Sequence, residues 1–376
     1  MARRYRKQAA QMVRKGRREA ARGDDYRAMM RFQLAKCLDP MNADVLSDLP
    51  PMIAASLTQL QTHLAHFGPV PDRAAQQFQH NADYIDALCQ KPQADESMPK
   101  RIWIYWAQGL DDAPDVVQKS YQSWVKLNPD YEVTFLDNTT LDDYLGFEWG
   151  SALQGFSAAL KLAGQSDLIR LVLLARYGGV WVDATTFCLK PLNTWLEPAV
   201  DKTGFFCFRQ NASRRTEDRT LISWFLASTP NHPIVQSLLK AAFAFLSKDR
   251  PEPLVQIGQA RMRVGLAVFD PPGVSMTGTG AELIEFAERH GFYLYFWLFY
   301  LFNDVVAKPE IAETWAQVLT LPNQFAQPFV DEDTFRQCCV SKQTYRGDFP
   351  ESDEYKFRVK YLTRIMEEYD ASLTPS

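Results

Sequence analysis

Between residues 101 and 137 the spacing of apolar positions changes twice. "RIWIYW" (101–106) is a continuous run of strand-forming residues that closes on Ala-Gln-Gly. "DVVQKSYQSWVKL" (115–127) places its apolar residues on one helical face, and "YEVTFLD" (131–137) alternates Tyr131, Val133 and Phe135 as a half-buried strand does. Strand, helix and strand at this spacing predict an α/β unit with parallel pairing. The next unit is "SDLIRLVLLARYGGVWVDATTF" (166–187). Ser166 is suited to an N-cap, and Leu168, Leu171, Val172 and Ala175 follow at i, i+3, i+4 and i+7. Gly178 falls where a helix end favours positive φ. "VWV" (180–182) then predicts a short buried strand that releases Asp183 at its carboxyl end, where open α/β sheets bind ligands.

Upstream, residues 3 to about 90 are helical in pattern and alanine-rich, broken at Pro50-Pro51 and at "FGPVPD" (67–72). Tyr26, Met30, Leu34, Cys37 and Leu38 recur at helical spacing before Pro40 and resemble one tetratricopeptide unit. No second copy follows, so this stretch reads as a small helical arm. The polar "QKPQADESMPK" (90–100) reads as a linker. The expected organisation is a basic helical region over 1–95, an α/β domain over 96–330 and a helical extension over 331–376, with a packing helix at 352–370. "FYLYFWLFYLF" (292–302) predicts a buried core helix, because eleven uncharged residues fall short of a membrane span. "WFLASTPNHPIV" (224–235) reads as an apolar helix followed by Asn231, His232 and Pro233. His232 there is a capping or packing residue, or else helps to position an acceptor.

With 376 residues the chain has room for two domains, and 46% hydrophobic with 23% charged residues excludes a mainly disordered one. Twenty-four Phe, fifteen Tyr and nine Trp supply flat faces for sugars or bases as well as a core. A net charge of −4 gives no general attraction to nucleic acid. Residues 1–36 nevertheless carry twelve Lys or Arg against Glu19, Asp24 and Asp25, which is either a solvated helix face or a contact for an anionic membrane surface or acidic protein partner. The start lacks the apolar centre of a secretory signal, so the expected location is the cytoplasm, with peripheral attachment at the inner membrane face an option. The six cysteines, at 37, 89, 188, 207, 338 and 339, lack the paired spacing of a zinc site and read as inert thiols.

Candidate chemistry centres on Asp183. A carboxylate straight after a buried strand, with Gly178-Gly179 before that strand, is suited to function. Asp167 and Arg170 lie one helical turn apart and form either a salt bridge or part of the same site. The 166–187 string, "MPKRIWIYWAQG" with "SWVKLNPDYEVTFLD", and "WFLASTPNHPIV" together resemble the capsular polysaccharide synthesis family of nucleotide-sugar glycosyltransferases, over roughly residues 96–325. The resemblance implies an α/β GT-A-like fold, with a Rossmann-like mixed sheet flanked by helices after a small all-α segment. It implies transfer of a sugar from a nucleotide-sugar donor to a hydroxyl of a polysaccharide or glycan acceptor, with retention of configuration.

The same resemblance maps nucleotide contacts onto Ile104, Trp106 and Gly109, and donor contacts onto Ser166, Asp167 and Arg170. Asp183 matches the first Asp of the Asp-x-Asp motif, whose second position here is Thr185. In such enzymes a metal held by two carboxylates stabilises the leaving diphosphate. With one carboxylate, Mn²⁺ or Mg²⁺ would be held by Asp183, the diphosphate and water; otherwise Arg170, or Arg209, Arg214, Arg215 and Arg219 of "RQNASRRTEDR", would neutralise the charge. "PPGVSMTGTGAE" (271–282) offers Thr277 and Gly278 as backbone donors to phosphate, without the lysine or spacing of a P-loop. Two alternatives stay open: a degenerate transferase that binds sugar nucleotides without turnover, and a phosphotransferase using Asp183 as acceptor, for which the expected second acid is absent.

Overall fold

The computed structural model describes residues 2–23, 28, 31, 32, 35, 39, 41–48, 83–85, 87–89, 97–158, 160–209, 220–250, 254–257, 281–289, 292–318, 320–322 and 331–373. The backbone divides into two compact units, one formed by Met1–Val70, Arg250–Met276 and Ile284–Phe296, the other by Pro71–Asp249, Thr277–Leu283 and Trp297–Ser376. In the first, a helix over Ala2–Ala20 buries Ala9, Val13 and Gly16 at i, i+4 and i+7. A Cβ on Gly16 would lie 3.2 Å from both the Ala28 carbonyl and the Phe32 ring, so glycine permits the close approach. Arg17 pairs with Asp44 at 2.8 Å and Asp48 at 2.6 Å. Val255–Ile257 and Phe292–Leu294 form a parallel pair in this unit. Tyr26, Met30, Leu34, Cys37, Leu38 and Pro40, and both proline breaks, lie outside the described residues.

The second unit contains, in order, β1 (Arg101–Tyr105), α1 (Asp115–Leu127), β2 (Glu132–Leu136), α2 (Leu162–Tyr177), β3 (Gly179–Val182), β4 (Thr186–Cys188), β5 (Phe205–Arg209), β6 (Ile222–Ser228), α3 (Pro233–Leu246), α4 (Trp297–Ala307), β7 (Thr320–Pro322), β8 (Val340–Lys342) and α5 (Asp353–Leu373). Six strands form one mixed sheet in the order β2-β1-β3-β6-β5-β7. β1 runs parallel to β2 and β3, whereas β6 is antiparallel to β3 and β5. This is the α/β class with the mixed, helix-flanked sheet that the family resemblance implies; the parallel pairing read from residues 101–137 holds for β1 and β2. β3 lies inside the sheet and is buried along its whole length, which accounts for its unbroken apolar run. α2 is buried almost all round, through Leu168, Ile169, Leu171, Val172, Leu173, Leu174 and Ala175, so its apolar positions exceed a single stripe.

Gly178 and Gly179 join α2 to β3 with φ of 65° and 92°. A Cβ on Gly179 would meet the Arg101 carbonyl at 2.6 Å, so the second glycine lets β1 and β3 pair. The Trp103 indole, itself fully buried, donates to the Gly178 carbonyl at 2.9 Å and fixes the corner.

Four sequence expectations are corrected. α2 begins at Leu162, so Ser166 is inside the helix, not its N-cap; Leu162-Ala163-Gly164-Gln165 continue the helix upstream, and the Ser166 hydroxyl donates back to the Leu162 carbonyl at 3.0 Å. The apolar part of 224–235 belongs to strand β6, since short apolar runs do not distinguish a strand from a helix by period. The run 292–302 splits into a strand, Phe292–Leu294, and the start of α4 at Trp297. The stretch 331–376 is not helical throughout: β8 pairs antiparallel with β4, placing Lys342 opposite Thr186. Its helix α5 is present as expected, and the Tyr355 hydroxyl on it donates to Asp115 on α1 at 2.9 Å. Among the described residues no helix is long and apolar enough to cross a membrane.

Candidate active site

Trp103 lies opposite Trp181 in the parallel β1–β3 pair, so the carboxyl ends of both strands open on one sheet edge. Asp183 stands just past the end of β3, where its backbone N–H donates to the Trp224 carbonyl on β6 at 2.9 Å. The side chain is a meeting point. Its Oδ1 accepts from Arg170 Nη2 at 3.1 Å and from the Trp181 indole at 3.0 Å, and its Oδ2 accepts from Lys342 Nζ at 2.6 Å. Arg170 also donates through Nη1 to Asp167 Oδ1 at 2.6 Å, and its guanidinium lies over the Trp181 ring, 5.2 Å from the centroid. Ser223 on β6 donates to the same Asp167 oxygen at 3.3 Å.

Depth separates the four charged groups. The Arg170 and Asp167 side chains are 4% and 10% exposed, whereas those of Lys342 and Asp183 are 23% and 26% exposed. The buried pair forms a foundation and the outer pair a face. Burial pushes the Asp167 carboxyl up to about 6, Arg170 pulling against it and the Asp183 charge adding to the rise. Desolvation also pushes Asp183 upward, but Lys342 and then Arg170 outweigh it and hold this carboxyl below its usual range. The two carboxylates, one on α2 and one just past β3, therefore differ in acidity because only one has two cations against it.

β8 delivers Lys342, and its own anchoring is deep. The Gln343 N–H donates to the Thr185 carbonyl at 2.8 Å, and the Gln343 amide donates to Ser341 Oγ at 2.8 Å. Arg358 of α5, 1% exposed, donates to Gln343 Oε1 at 3.2 Å. Lys342 was not foreseen from the sequence. It lies 159 residues from Asp183, and Val340-Ser341-Lys342 is too short and shows no apolar-polar alternation to mark a strand.

The structure brings Asp167, Arg170 and Asp183 together as one network. Thr185 is 5% exposed, and it adjoins the network through the carbonyl that accepts from Gln343. Ile104 is fully buried inside β1, so its side chain is part of the core. Trp106 is half-buried just past β1, with its ring edge-on to Tyr345 at 5.2 Å, and Gly109 closes the following turn at φ 83°. Tyr345, three residues beyond Lys342, is 41% exposed. Thr277, Gly278, Arg214, Arg215 and Arg219 lie outside the described residues. His232 is fully buried, its Nδ1 accepting from the Ile234 N–H at 3.3 Å and its Nε2 donating to the Thr203 carbonyl at 2.9 Å, the capping and packing role among those expected.

The expected divalent metal fits this arrangement poorly. Both oxygens of Asp183 already accept from cations, Thr185 supplies no carboxylate, and no three His, Cys, Asp or Glu side chains converge as metal ligands among the described residues. An ion at Asp183 would have to share Oδ2 with Lys342 and sit close to the charges of Lys342 and Arg170.

Fold and site together define an α/β unit with a fixed carboxylate and cations at the carboxyl edge of its sheet. The sequence profile described as "Capsular polysaccharide synthesis protein" matches residues 75–253, in agreement with the resemblance read from the sequence. Among curated proteins, the chain is 32% identical over 100 residues to "O-glycosyltransferase braB" of Annulohypoxylon truncatum, covering 24% of each chain. It is 22% identical over 153 residues to "Putative glycosyltransferase HOC1" of Saccharomyces cerevisiae, covering 38% of each. It is 30% identical over 109 residues to "Initiation-specific alpha-1,6-mannosyltransferase" of Candida albicans, covering 27% of this chain and 28% of that protein. The chain thus spans well under half the length of these relatives. A solved structure, "PaToxG Glycosyltransferase", aligns at 15% identity and a TM-score of 0.28 over 65% of this chain and 92% of that one, too loose a likeness to bear on the fold.

Proposed function

We infer that the second unit is a glycosyltransferase that moves a sugar from a nucleotide-sugar donor to a hydroxyl of a polysaccharide or glycan acceptor, of the kind made for a cell surface. The observation that carries the reading is Asp183, fixed by three donors at the carboxyl edge of the sheet and still 26% exposed. In the reaction the bond between the anomeric carbon and the diphosphate oxygen breaks and a bond to the acceptor oxygen forms. The nucleoside diphosphate leaves with the bonding electrons, and the acceptor hydroxyl gives up its proton to the departing diphosphate. Negative charge therefore grows on the diphosphate, and a site of prepositioned cations and dipoles lowers that barrier without reorganising.

Asp167 and Arg170 act through Asp183: Arg170 joins the two carboxylates, so the pair sets the position of the outer one. The aromatic pair Trp106 and Tyr345 is suited to stack a base. Retention of configuration follows from the family resemblance and belongs to the same reading. Calorimetric titration of wild type and Asp183→Ala with a panel of nucleotide sugars tests it. Binding of at least one donor that weakens roughly tenfold or more in the variant supports the reading. Equal binding to both proteins removes Asp183 from the site, and no binding to either removes the function.

A further inference from the structure

We propose that Lys342 is the cation that meets the donor's diphosphate, taking the place of a divalent metal. This rests on the transferase reading above and assigns the group that stabilises its leaving charge.

The two cations of the cluster differ in how far a ligand can reach them. Arg170 is 4% exposed, with one N–H of each Nη on Asp167 and Asp183 and its Nε buried without a partner, so its depth keeps it from a ligand. Lys342 is 23% exposed and uses one of its three N–H donors, on Asp183 Oδ2. The other two have no protein acceptor among the described residues. The charge balance agrees: Asp167 and Asp183 are matched by Arg170 and Lys342, so the cluster is neutral before a ligand arrives. A divalent ion would enter next to two positive charges with both Asp183 oxygens already engaged. A diphosphate, in contrast, meets a partly exposed ammonium whose position is set from behind.

That position is over-determined. Asp183 holds Nζ, the pairing of β8 with β4 holds the backbone, and the contacts Gln343 to Thr185 and Arg358 to Gln343 hold the end of β8 from within. Such support is what a site needs if charge stabilisation is to come without movement. In this arrangement Asp183 is the holder of the cation that binds phosphate. Thr185 then needs no carboxylate, which explains the departure from Asp-x-Asp.

The test is calorimetry on the full chain with UDP, GDP, UMP and GMP, in excess EDTA and separately in MnCl₂, using wild type, Lys342→Gln and Lys342→Arg. Wild type is expected to bind one of the diphosphates in EDTA, roughly tenfold or more tighter than the matching monophosphate. Lys342→Gln is expected to lose roughly ten- to a hundredfold for the diphosphate and little for the monophosphate, and Lys342→Arg to recover most of the loss. The comparison of wild type in EDTA and in MnCl₂ needs no variant, so a Lys342→Gln protein that fails to fold does not remove the test. A diphosphate preference that vanishes in EDTA and returns with Mn²⁺ overturns the inference and leaves the transferase reading standing, as does a Lys342→Gln protein that binds diphosphate like wild type. Failure of both diphosphates to bind wild type under either condition overturns the two together.

Discussion

Gly178→Ala tests whether the corner before β3 requires glycine. Gly178 has φ 65° and ψ −158°, a backbone region essentially closed to residues with a Cβ. Forcing alanine into it costs about 1–3 kcal/mol. The added Cβ would lie 2.7 Å from Pro230 N and Cδ and 2.8 Å from the Ser228 carbonyl, mostly backbone and ring atoms that cannot swing aside. Overpacking of that kind adds about 1–3 kcal/mol. Together they amount to roughly 2–6 kcal/mol, a large part of the ~5–15 kcal/mol that holds an ordinary domain folded. Urea unfolding followed by tryptophan fluorescence is the assay, because the Trp103 indole donates to the Gly178 carbonyl and reports on this corner. Gly150→Ala is the control: it sits in a short helix with open space around the would-be Cβ and is expected to be neutral or stabilising by up to ~1 kcal/mol. A loss below ~1 kcal/mol at Gly178, or equal effects at both positions, would refute the reasoning.

Other consequences are equally concrete. Burial lowers the His232 imidazole to about 4, so the folded state holds it neutral. Its contribution is fully present above the unfolded value near 6.5 and is lost as pH falls from there toward 4, by about 3 kcal/mol in all. His232→Asn, which keeps an N-cap acceptor, is expected to flatten that part of the stability profile; an unchanged slope in urea titrations between pH 6.5 and 4 would assign it to other groups. Arg170→Met leaves Asp167 buried without its ion-pair partner and is expected to cost about 3–5 kcal/mol, more than Arg170→Lys, in the same unfolding assay; a cost under ~1 kcal/mol would contradict the foundation role. Burial pushes the Cys188 and Cys338 thiols up to about 12, so a disulfide reagent at pH 8 should leave both unlabelled in native protein and reach them in urea; rapid native labelling of either would show that the strand β4–β8 region opens readily.

How much of this was legible follows from sequence distance. α1 is read from its first residue to its last, because one amphipathic face repeats over 13 residues. The corner at Gly178-Gly179 and the strand that follows are legible because helix stop and buried run are both local signals. The start of α2 is not, since Leu162–Gln165 carry no cap and add one more turn without an apolar stripe to mark it. The strand at Ile222–Ser228 and the helix at Trp297–Ala307 have similarly apolar stretches, and only their partners decide between the two states. In the site, Asp167, Arg170 and Asp183 are close in sequence and could be grouped by motif. Lys342 reaches Asp183 only through the pairing of two three-residue strands far apart in the chain, and no periodicity records that contact.

The most direct measurement is a crystal structure of the full chain with the nucleotide sugar that binds tightest in calorimetry. The account predicts the diphosphate at the carboxyl edge of β1 and β3, with a phosphate oxygen on Lys342 Nζ and Asp183 still joined to that lysine. A donor bound with its diphosphate away from this edge would contradict it.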